Sequence, residues 1–353
     1  MAGKPGVSGI DPESWRVTIL SLPKRFTRGT ALGFCGGYAV GRAEGGRGKT
    51  VACWWPGGEP ELLTVKGQNV LGVGNARGDM IPGQWTNASG TMGAVAWRFD
   101  GKRLVAAELH DRSYESTWAI AAGNGVAVGT GRPNAKKGEY VRKVGLVWRD
   151  GANPMVVAAA GDVSLMATDG VQLAGSVHGR ASLWPSAAAA VIDLAPGKMP
   201  MSEVQALDGQ LQIGVAWKDF CARAGIWRGK AASFQDITPK GFQTARALDG
   251  TQGYQVGFVR KKDTTRNGST GDDNRAVLWQ GAPDKWFDLN ALLPAKTYNS
   301  SVAWAIEIRG DVMQICGEAR RYEMSHPGTP QEAHAVPVAH PVVWTASLKP
   351  GRR

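Results

Sequence analysis

The sequence predicts an all-β protein, namely a closed seven-bladed β-propeller built from four-stranded antiparallel blades. Three landmarks predict it, since a tryptophan, a glycine and a tight turn recur in the same order along the 353 residues. A composition with 48 Gly, 14 Trp and 43% hydrophobic residues is typical of a turn-rich β protein. We assign residues 1–353 to one propeller domain, with short flexible tails at about 1–10 and 348–353.

The first landmark is a short-chain residue that precedes a tryptophan by three positions. The spacing of these tryptophans centres near the roughly 40–50 residues of a propeller blade. The tryptophans are Trp55, Trp97, Trp148, Trp184, Trp227, Trp279 and Trp344. Because they recur at one position of every repeat, we interpret them as packing anchors between blades rather than as a ligand cage.

The second landmark is a glycine at the end of an apolar run, and the third is a turn that precedes it. The glycines are Gly41, Gly83, Gly129, Gly175, Gly214, Gly257 and Gly317. The turns are Asn124-Gly125, Asp169-Gly170, Asp208-Gly209 and Asp249-Gly250, with looser forms at Arg77-Gly78 and Arg309-Gly310. Asn-Gly and Asp-Gly favour the type I′ turns of tight hairpins, in which both central residues need φ > 0.

Each repeat therefore predicts four strands. In the third repeat these are Thr117–Ala121, then Gly125–Gly129 after the turn, then Val144–Trp148 and Pro154–Ala158. A lone blade cannot bury both of its faces, so the repeats must stack side by side and close into a ring or be capped.

The two ends of the chain predict how the ring closes. The chain runs out soon after Trp344, which leaves the last repeat short of a fourth strand. Trp15–Leu22 alternates as a half-buried strand does and lies just before the first repeat. We expect it to complete the last blade and thereby remove a free sheet edge.

Two blocks of the sequence resemble the extracellular HAF repeat proteins. The blocks are Asn274–Leu293 and Ser301–Arg320, and the shared features are a glycine after an apolar run, an alanine three residues before a tryptophan, and an Asp-Leu ending. Asp-Leu endings occur at Asp193-Leu194 and Asp288-Leu289. The H-A-F triplet itself is not kept. The resemblance implies a propeller and brings no catalytic residues with it.

The remaining motifs indicate no cofactor and no metal. Ala43–Thr50 fits a loose phosphate-loop pattern, but it joins two antiparallel strands rather than a strand and a helix. Arg77-Gly78-Asp79 spells an adhesion tripeptide at a position where a turn glycine is expected anyway. The histidines match no standard zinc spacing. We expect Cys35, Cys53, Cys221 and Cys316 to be buried free thiols, with a Cys35–Cys53 disulfide as the alternative.

The sequence gives few constraints on the cellular compartment and the oligomeric state. No run approaches the roughly 18 apolar residues of a membrane span, so we expect a soluble protein, and we expect a monomer. The first residues show no apolar segment of a secretory signal. A chain that begins after signal removal would look the same, which leaves an extracellular location open.

The net charge of +11 points to an acidic partner. Most of the excess of Lys and Arg lies on the connections between the second and third strands, which should surround the channel mouth on one face of the disc. The candidate binding cations on this predicted basic surface are Arg132, Lys136, Lys137, Arg142, Arg260, Lys261 and Lys262. The alternative is that these loops only keep the disc soluble.

The innermost strands begin at the same face and should present a ring of side chains at the mouth. The ring positions are Thr30, Asn69, Trp118, Met166, Gln205, Arg246 and Trp304. We hypothesise a binding and protein-interaction propeller for an acidic macromolecule or partner protein, nucleic acid being one possibility. The alternative is an enzyme of hydrolase or lyase type at the channel mouth, with Glu115, Asp162, Glu203 and His110 as its candidate residues; we favour the binder.

Overall fold

The structure is a computed structural model, and it describes residues 7–136, 139, 141–149, 153–199, 201–261, 273–324 and 335–349. In this part of the chain nearly all regular structure is β. Short 3-10 helices occur at Gly46–Gly48, Ala231–Ser233 and Leu289–Leu292. The predicted all-β class and the predicted four-stranded antiparallel sheets are therefore confirmed.

The strands follow one another in the chain as four-stranded meanders, which we name sheets A to G. Sheet A contains β2 (Phe26–Cys35), β3 (Tyr38–Gly45), β4 (Thr50–Trp55) and β5 (Glu61–Leu62); sheet B contains β6 (Asn69–Val73), β7 (Met80–Thr86), β8 (Met92–Phe99) and β9 (Leu104–Glu108); sheet C contains β10 (Tyr114–Gly123), β11 (Val126–Pro133), β12 (Val144–Arg149) and β13 (Met155–Val156). Parallel bridges between Ser116 and Met92 and between Asn75 and Ala121 connect sheets B and C.

The second half of the chain repeats the arrangement. Sheet D contains β14 (Val163–Thr168), β15 (Leu173–Val177), β16 (Arg180–Trp184) and β17 (Ile192–Asp193); sheet E contains β18 (Ser202–Asp208), β19 (Leu211–Lys218), β20 (Cys221–Trp227) and β21 (Gln235–Asp236); sheet F contains β22 (Thr244–Thr251), β23 (Tyr254–Arg260), β24 (Arg275–Ala282) and β25 (Lys285–Asp288).

Sheet G is built from both ends of the chain. It contains β26 (Ser300–Arg309), β27 (Val312–Met324), β28 (Ala335–Ser347) and, beyond β28, the first strand β1 (Arg16–Ile19). β1 and β28 are antiparallel, with Arg16 opposite Thr345 and Ile19 opposite Val342. The predicted pairing of the N-terminal strand with the last sheet is thus present.

The hydrophobic core is divided into clusters, each of which lies between two neighbouring sheets. Clusters join A to B, B to C, C to D, D to E, E to F and F to G. A further cluster joins the last sheet to the first, because Ala31 and Trp55 of sheet A pack with Ala305, Cys316 and Val343 of sheet G.

The repeat tryptophans are buried, as predicted, with at most 3% of each side chain exposed. Several indoles also tie consecutive sheets together by donating a hydrogen bond to a backbone carbonyl just beyond the preceding outer strand. These bonds are Trp97 to Thr64 O at 3.1 Å, Trp148 to Leu109 O at 2.9 Å, Trp184 to Ala158 O at 3.2 Å and Trp55 to Ser21 O at 2.8 Å. The last of them reaches the segment that follows β1.

The repeat glycines mark β-bulges in the inner strands. Gly129 faces Ala119, and the register shifts at Ile120, so that residue projects out of the regular pairing. A Cβ on Gly129 would lie 1.8 Å from the Trp118 carbonyl oxygen, and Gly41, Gly175, Gly214, Gly257 and Gly317 are as close to their own inner strands. The glycine is thus required by the close approach of two backbones.

The Asp-Leu endings are small structural units. Asp193, Asp236 and Asp288 each form an ion pair with the arginine thirteen residues earlier, namely Arg180, Arg223 and Arg275. The next residue, Leu194, Ile237 or Leu289, is fully buried. The motif therefore fixes the end of the outer strand and anchors the connection to the next sheet.

Several boundaries differ from the sequence predictions. Val7 and Ile10 fall within the predicted N-terminal tail but are buried, and Ile10 pairs with Leu348. Strands extend into the predicted loops, so the connection in sheet A is only residues 46–49. That segment is a 3-10 turn between antiparallel strands, which does not provide the helix N-terminus of a phosphate loop.

All four cysteines are free thiols, so the alternative of a Cys35–Cys53 disulfide is wrong. Cys221 is only half-buried, unlike the other three, because it begins a strand directly after an exposed hairpin tip. Burial raises the pKa of Cys35 and of Cys53 to about 12.

Candidate functional site

The candidate site lies at the end of the sheets where the inner strands begin, which we call the mouth face. In a four-stranded meander, the hairpins between second and third strands emerge at this end together with the connections from one sheet to the next. A groove of about 460 Å³ at this end is lined by residues of both kinds of connection. Arg132 and Lys143 belong to the hairpin of sheet C, Asp162 to the connection into sheet D, and His178 to the hairpin of sheet D.

A central cavity of about 180 Å³ lies among the inner strands. It is lined by the bulged residue of six inner strands, by the last residue of β6 and by the two residues that follow β6. The lining residues are Leu32, Val73, Gly74, Asn75, Ile120, Met166, Gln205, Leu248 and Trp304. The bulges that the repeat glycines permit therefore supply the wall of the cavity.

The predicted ring of mouth residues is in fact two rings, and the predicted alignment was wrong in part. Met166, Gln205 and Trp304 are bulged residues of the cavity wall, whereas Trp118 and Arg246 lie two residues nearer the mouth. The error arose because a bulge adds a residue to the inner strand, so that equal spacing along the chain does not mean equal depth.

Two further ring positions do not belong to the cavity. The Thr30 hydroxyl donates to Glu318 Oε2 at 2.7 Å, so it contacts the neighbouring sheet G. Asn69 is exposed at the start of β6, where the bulge lies on a different register from that of the other sheets.

Polar groups in the cavity are few. Gln205 Nε2 donates to Glu203 Oε2 at 2.9 Å. Trp304 Nε1 and Asn75 Oδ1 are buried and have no hydrogen-bond partner within the described residues. The cavity has room for several waters at about 30 Å³ each, and these could serve both atoms.

Two charged residues, Arg246 and Glu203, lie beside the entrance of the cavity. The Arg246 guanidinium lies 5.3 Å from the centre of the Trp217 ring, a cation–π contact. Burial raises the pKa of the Glu203 carboxyl, while the positive charge of Arg246 opposes that rise. The arginine is thus held in place rather than free to extend into solvent.

Arg77 lies at the opposite end of the cavity and spans several sheets. From the turn of sheet B, its guanidinium donates to Asp249 Oδ1 at 3.0 Å and to the Gly250 carbonyl at 2.5 Å in sheet F. It also donates to the Leu207 carbonyl of sheet E at 2.8 Å. The arginine of the adhesion-like tripeptide therefore has a structural role that sequence reasoning missed.

The predicted binding cations have varied surroundings. Arg132 is paired with Glu115 at 3.3 Å, which neutralises it locally. Lys136, Arg142 and Lys261 are exposed, and Arg260 is half-buried. Lys137 and Lys262 lie outside the described residues.

The four residues of the enzyme hypothesis are not hydrogen-bonded to one another in the described part of the chain. Glu115 pairs with Arg132, and Asp162 accepts a hydrogen bond from the Lys143 backbone at 2.9 Å. His110 Nδ1 lies 3.0 Å from Thr117 Oγ1. The same hydroxyl accepts from the Ala94 backbone of sheet B, so the histidine belongs to an inter-sheet contact. Burial lowers the pKa of His110.

Sequence reasoning also missed one exposed aromatic residue and a set of exposed cations. Phe220 is fully exposed at the tip of the β19–β20 hairpin on the mouth face. The cations lie on the connections between sheets and are Lys24, Arg25, Lys66, Arg112, Lys198, Lys240 and Lys296. They could have been found by examining both kinds of connection on the mouth face instead of only the hairpins.

Two larger cavities lie away from the mouth, at the edges of sheets A, B and C. Their volumes are about 400 and 430 Å³, and neither contains a predicted site residue. Among the described residues, no group of three or more His, Cys, Asp or Glu is placed to hold a metal ion. None of the helices in that same part of the chain is long and apolar enough to cross a membrane.

Comparisons with known proteins give the fold. No protein-family model matches the sequence, and no curated protein matches it either. The chain is similar to the solved structure of YCF48 bound to a D1 peptide, with 12% identity and a TM-score of 0.50, over 98% of this chain and 99% of that one. The neighbours are β-propeller proteins. The fold is a β-propeller.

Two other similar structures are peptidases. A puromycin hydrolase mutant complexed with PGG has 11% identity and a TM-score of 0.57, and covers 86% of this chain. A prolyl endopeptidase has 11% identity and a TM-score of 0.51, and covers 90% of it. This chain spans only about half the length of each, 53% and 51%. None of the matches supports the specific resemblance to HAF repeats.

Proposed function

We propose that the protein is a monomeric β-propeller domain, closed into seven blades, that binds an acidic segment of a partner protein on its mouth face. The observation that carries the proposal is the charge on the connections between sheets. Their cations are exposed and make no ion pair in the described part of the chain. Only two carboxylates, Asp111 and Asp162, share these connections.

The opposite face does not have this excess, which supports a directional surface. Its turns contain Arg77, Lys102, Arg103, Arg228 and Lys230, but they also contain Glu59, Asp79, Asp100, Asp169, Asp284 and Asp311. A face with one sign of charge attracts an oppositely charged partner over a distance set by the ionic strength.

Closure of the ring is supported by the contacts between sheets G and A, which are of the same kinds as those between consecutive sheets. Their shared core cluster and the Trp55 bond to Ser21 repeat what is seen between consecutive sheets. A closed ring matters for function because it gathers every connection with its cations around one mouth.

The aromatic residues at the mouth suit a protein partner, although nucleic-acid bases also stack on such side chains. Trp118 is half-buried beside the cavity, and Phe220 is exposed. Such residues supply contact area to protein interfaces. The similar structure of YCF48 was solved with a peptide bound, which is consistent with a propeller that takes a protein segment.

The test is fluorescence anisotropy with a labelled peptide of about ten glutamates. We expect salt-sensitive binding, and we expect Lys198→Glu with Lys240→Glu to weaken it about tenfold at low ionic strength, since two attractive charges become repulsive. The matched control is Lys102→Glu with Arg103→Glu on the opposite face, which should change the affinity less than about twofold.

Two outcomes would overturn the proposal. One is that both pairs of charge reversals weaken peptide binding equally, or that the affinity does not change with salt concentration. The other is tighter binding of a single-stranded oligonucleotide of the same charge, which would make the partner a nucleic acid.

A further inference from the structure

The tip of the β19–β20 hairpin has an unusual residue in a demanding conformation. Asp219 and Phe220 form a two-residue turn between Lys218 and Cys221, with φ of 50° and 63°. Two positive φ values define a type I′ turn, which favours Asn, Asp or Gly at its centre. A phenylalanine in this region of φ is strained, and its relative exposure is 104%.

Other turns of this chain show that a smaller residue would serve. Asn124-Gly125, His178-Gly179 and Gln252-Gly253 have the same pair of positive φ values, and each has glycine at the second position. His178-Gly179 even occupies the equivalent hairpin in sheet D. Folding therefore gives no reason for a phenylalanine at position 220, since the side chain buries nothing within the protein.

Two further apolar side chains that are not fully buried lie at the same end of sheet E as Phe220. Trp217 lies three residues earlier on the same hairpin and is half-buried under Arg246. The Trp217 backbone donates to the Met201 carbonyl at 2.9 Å, which places Met201 beside it. Met201 is 62% exposed. We name Met201, Trp217 and Phe220 the tip patch.

Cations border the tip patch. Lys218 is exposed on the hairpin, and Lys198 and Lys240 are exposed on the connections that enter and leave sheet E. The carboxylates nearby in the chain are Asp219, within the turn itself, and Glu203, which is partly buried. An apolar patch bordered by positive charge is complementary to an apolar side chain flanked by acidic residues.

We propose that the tip patch is the anchor point for the partner, and that the partner's acidic segment contains one large apolar residue that packs on Phe220. This inference rests on the proposed function and specifies which feature of the acidic segment the mouth face recognises. The strained aromatic residue supplies the apolar contact, and the surrounding lysines supply the attraction.

The experiment compares two labelled peptides of about ten glutamates, one with phenylalanine and one with alanine at the centre. We expect the wild-type protein to bind the phenylalanine peptide at least about fivefold more tightly. Phe220→Gly should abolish this ratio. The same substitution should leave the urea midpoint of unfolding unchanged or raise it, because glycine adopts a φ of 63° without strain.

Val171→Ala is the matched control, since Val171 is also 62% exposed but lies on a turn at the opposite face, and it should leave the ratio intact. If both peptides bind equally to the wild-type protein, or if Phe220→Gly keeps the ratio, the inference is wrong while the proposed function stands. If neither peptide binds, the proposed function itself fails. Sedimentation velocity tests one further outcome. If the wild-type protein forms dimers and Phe220→Gly dissociates them, then a second copy of the chain occupies the tip patch, and the inference is also wrong.

Discussion

Arg77 shows how a single residue can hold distant parts of a propeller together. It leaves a turn of sheet B and reaches backbone carbonyls and a carboxylate in sheets E and F. The side chain of Asp249 is only 3% exposed, and its other oxygen accepts from the Ile306 backbone of sheet G. One ion pair therefore connects four sheets across the centre of the molecule.

We predict that Arg77→Met destabilises the protein by about 3 kcal/mol, because it leaves the Asp249 carboxylate buried without its cation. Urea denaturation measures this. Arg180→Met breaks the exposed pair with Asp193 and should cost less than about 1 kcal/mol. Adding Asp249→Asn to Arg77→Met should recover part of the loss, since the amide still accepts from Ile306. Equal losses for Arg77→Met and Arg180→Met would contradict this account.

At the scale of the strand, the inner bulge is the feature that links the sequence repeat to the site. The repeat glycine allows the second strand to approach the bulged inner strand, and the bulge turns one side chain toward the cavity. The same residue type at the same position thus shapes the cavity wall in six sheets.

We predict that Gly129→Ala destabilises the protein by about 3 kcal/mol, because its Cβ would overlap the Trp118 carbonyl, which is backbone and cannot move aside. The control is Gly197→Ala, where a Cβ meets nothing within 4 Å. Urea denaturation of the two variants gives the comparison. The role assigned to the glycine is refuted if the two variants unfold at the same midpoint.

Most landmarks predicted the strands well because each one answers a local physical need, but the predicted turn at Asp249-Gly250 was wrong. Both residues lie within β22, and the tight turn is Gln252-Gly253. Trp148 is buried between sheets, and Asn124-Gly125 has the positive φ values that its turn requires. The depth of mouth residues was not predictable in the same way, since the bulge at Met166 or Trp304 shifts the register without changing the sequence spacing. Phe220 was missed because exposure depends on the tertiary position of a hairpin.

Which cations face solvent could be predicted only in part, because the sequence spacing does not give the strand register. Arg132 was expected to face a partner, yet it pairs with Glu115 from the adjacent strand. That pairing depends on strand register, which spacing alone did not fix. Among the described residues, the lysines on the connections between sheets form no such ion pair, and they are exposed.

At the scale of the whole molecule, the proposed mouth face requires a ring that closes between the first and last strands. Each sheet then buries both faces against neighbours, and no sheet face needs a cap. The connections and their charges would all surround one mouth. An open array would instead spread the same cations along a curved edge.

Cross-linking of β1 to β28 is the most direct test of a closed ring. Arg16 and Thr345 are opposite each other in β1 and β28, and Arg16 is exposed. Arg16→Cys with Thr345→Cys, in a Cys221→Ser background, should form an intramolecular disulfide under mild oxidation, because paired strands place Cα atoms about 5.5 Å apart. If the ring is closed, the oxidised double variant should run as a faster band on a non-reducing gel and have a higher urea midpoint that reductant reverses. Failure of the double variant to cross-link within one chain, with the single variants as reference, would contradict a closed ring.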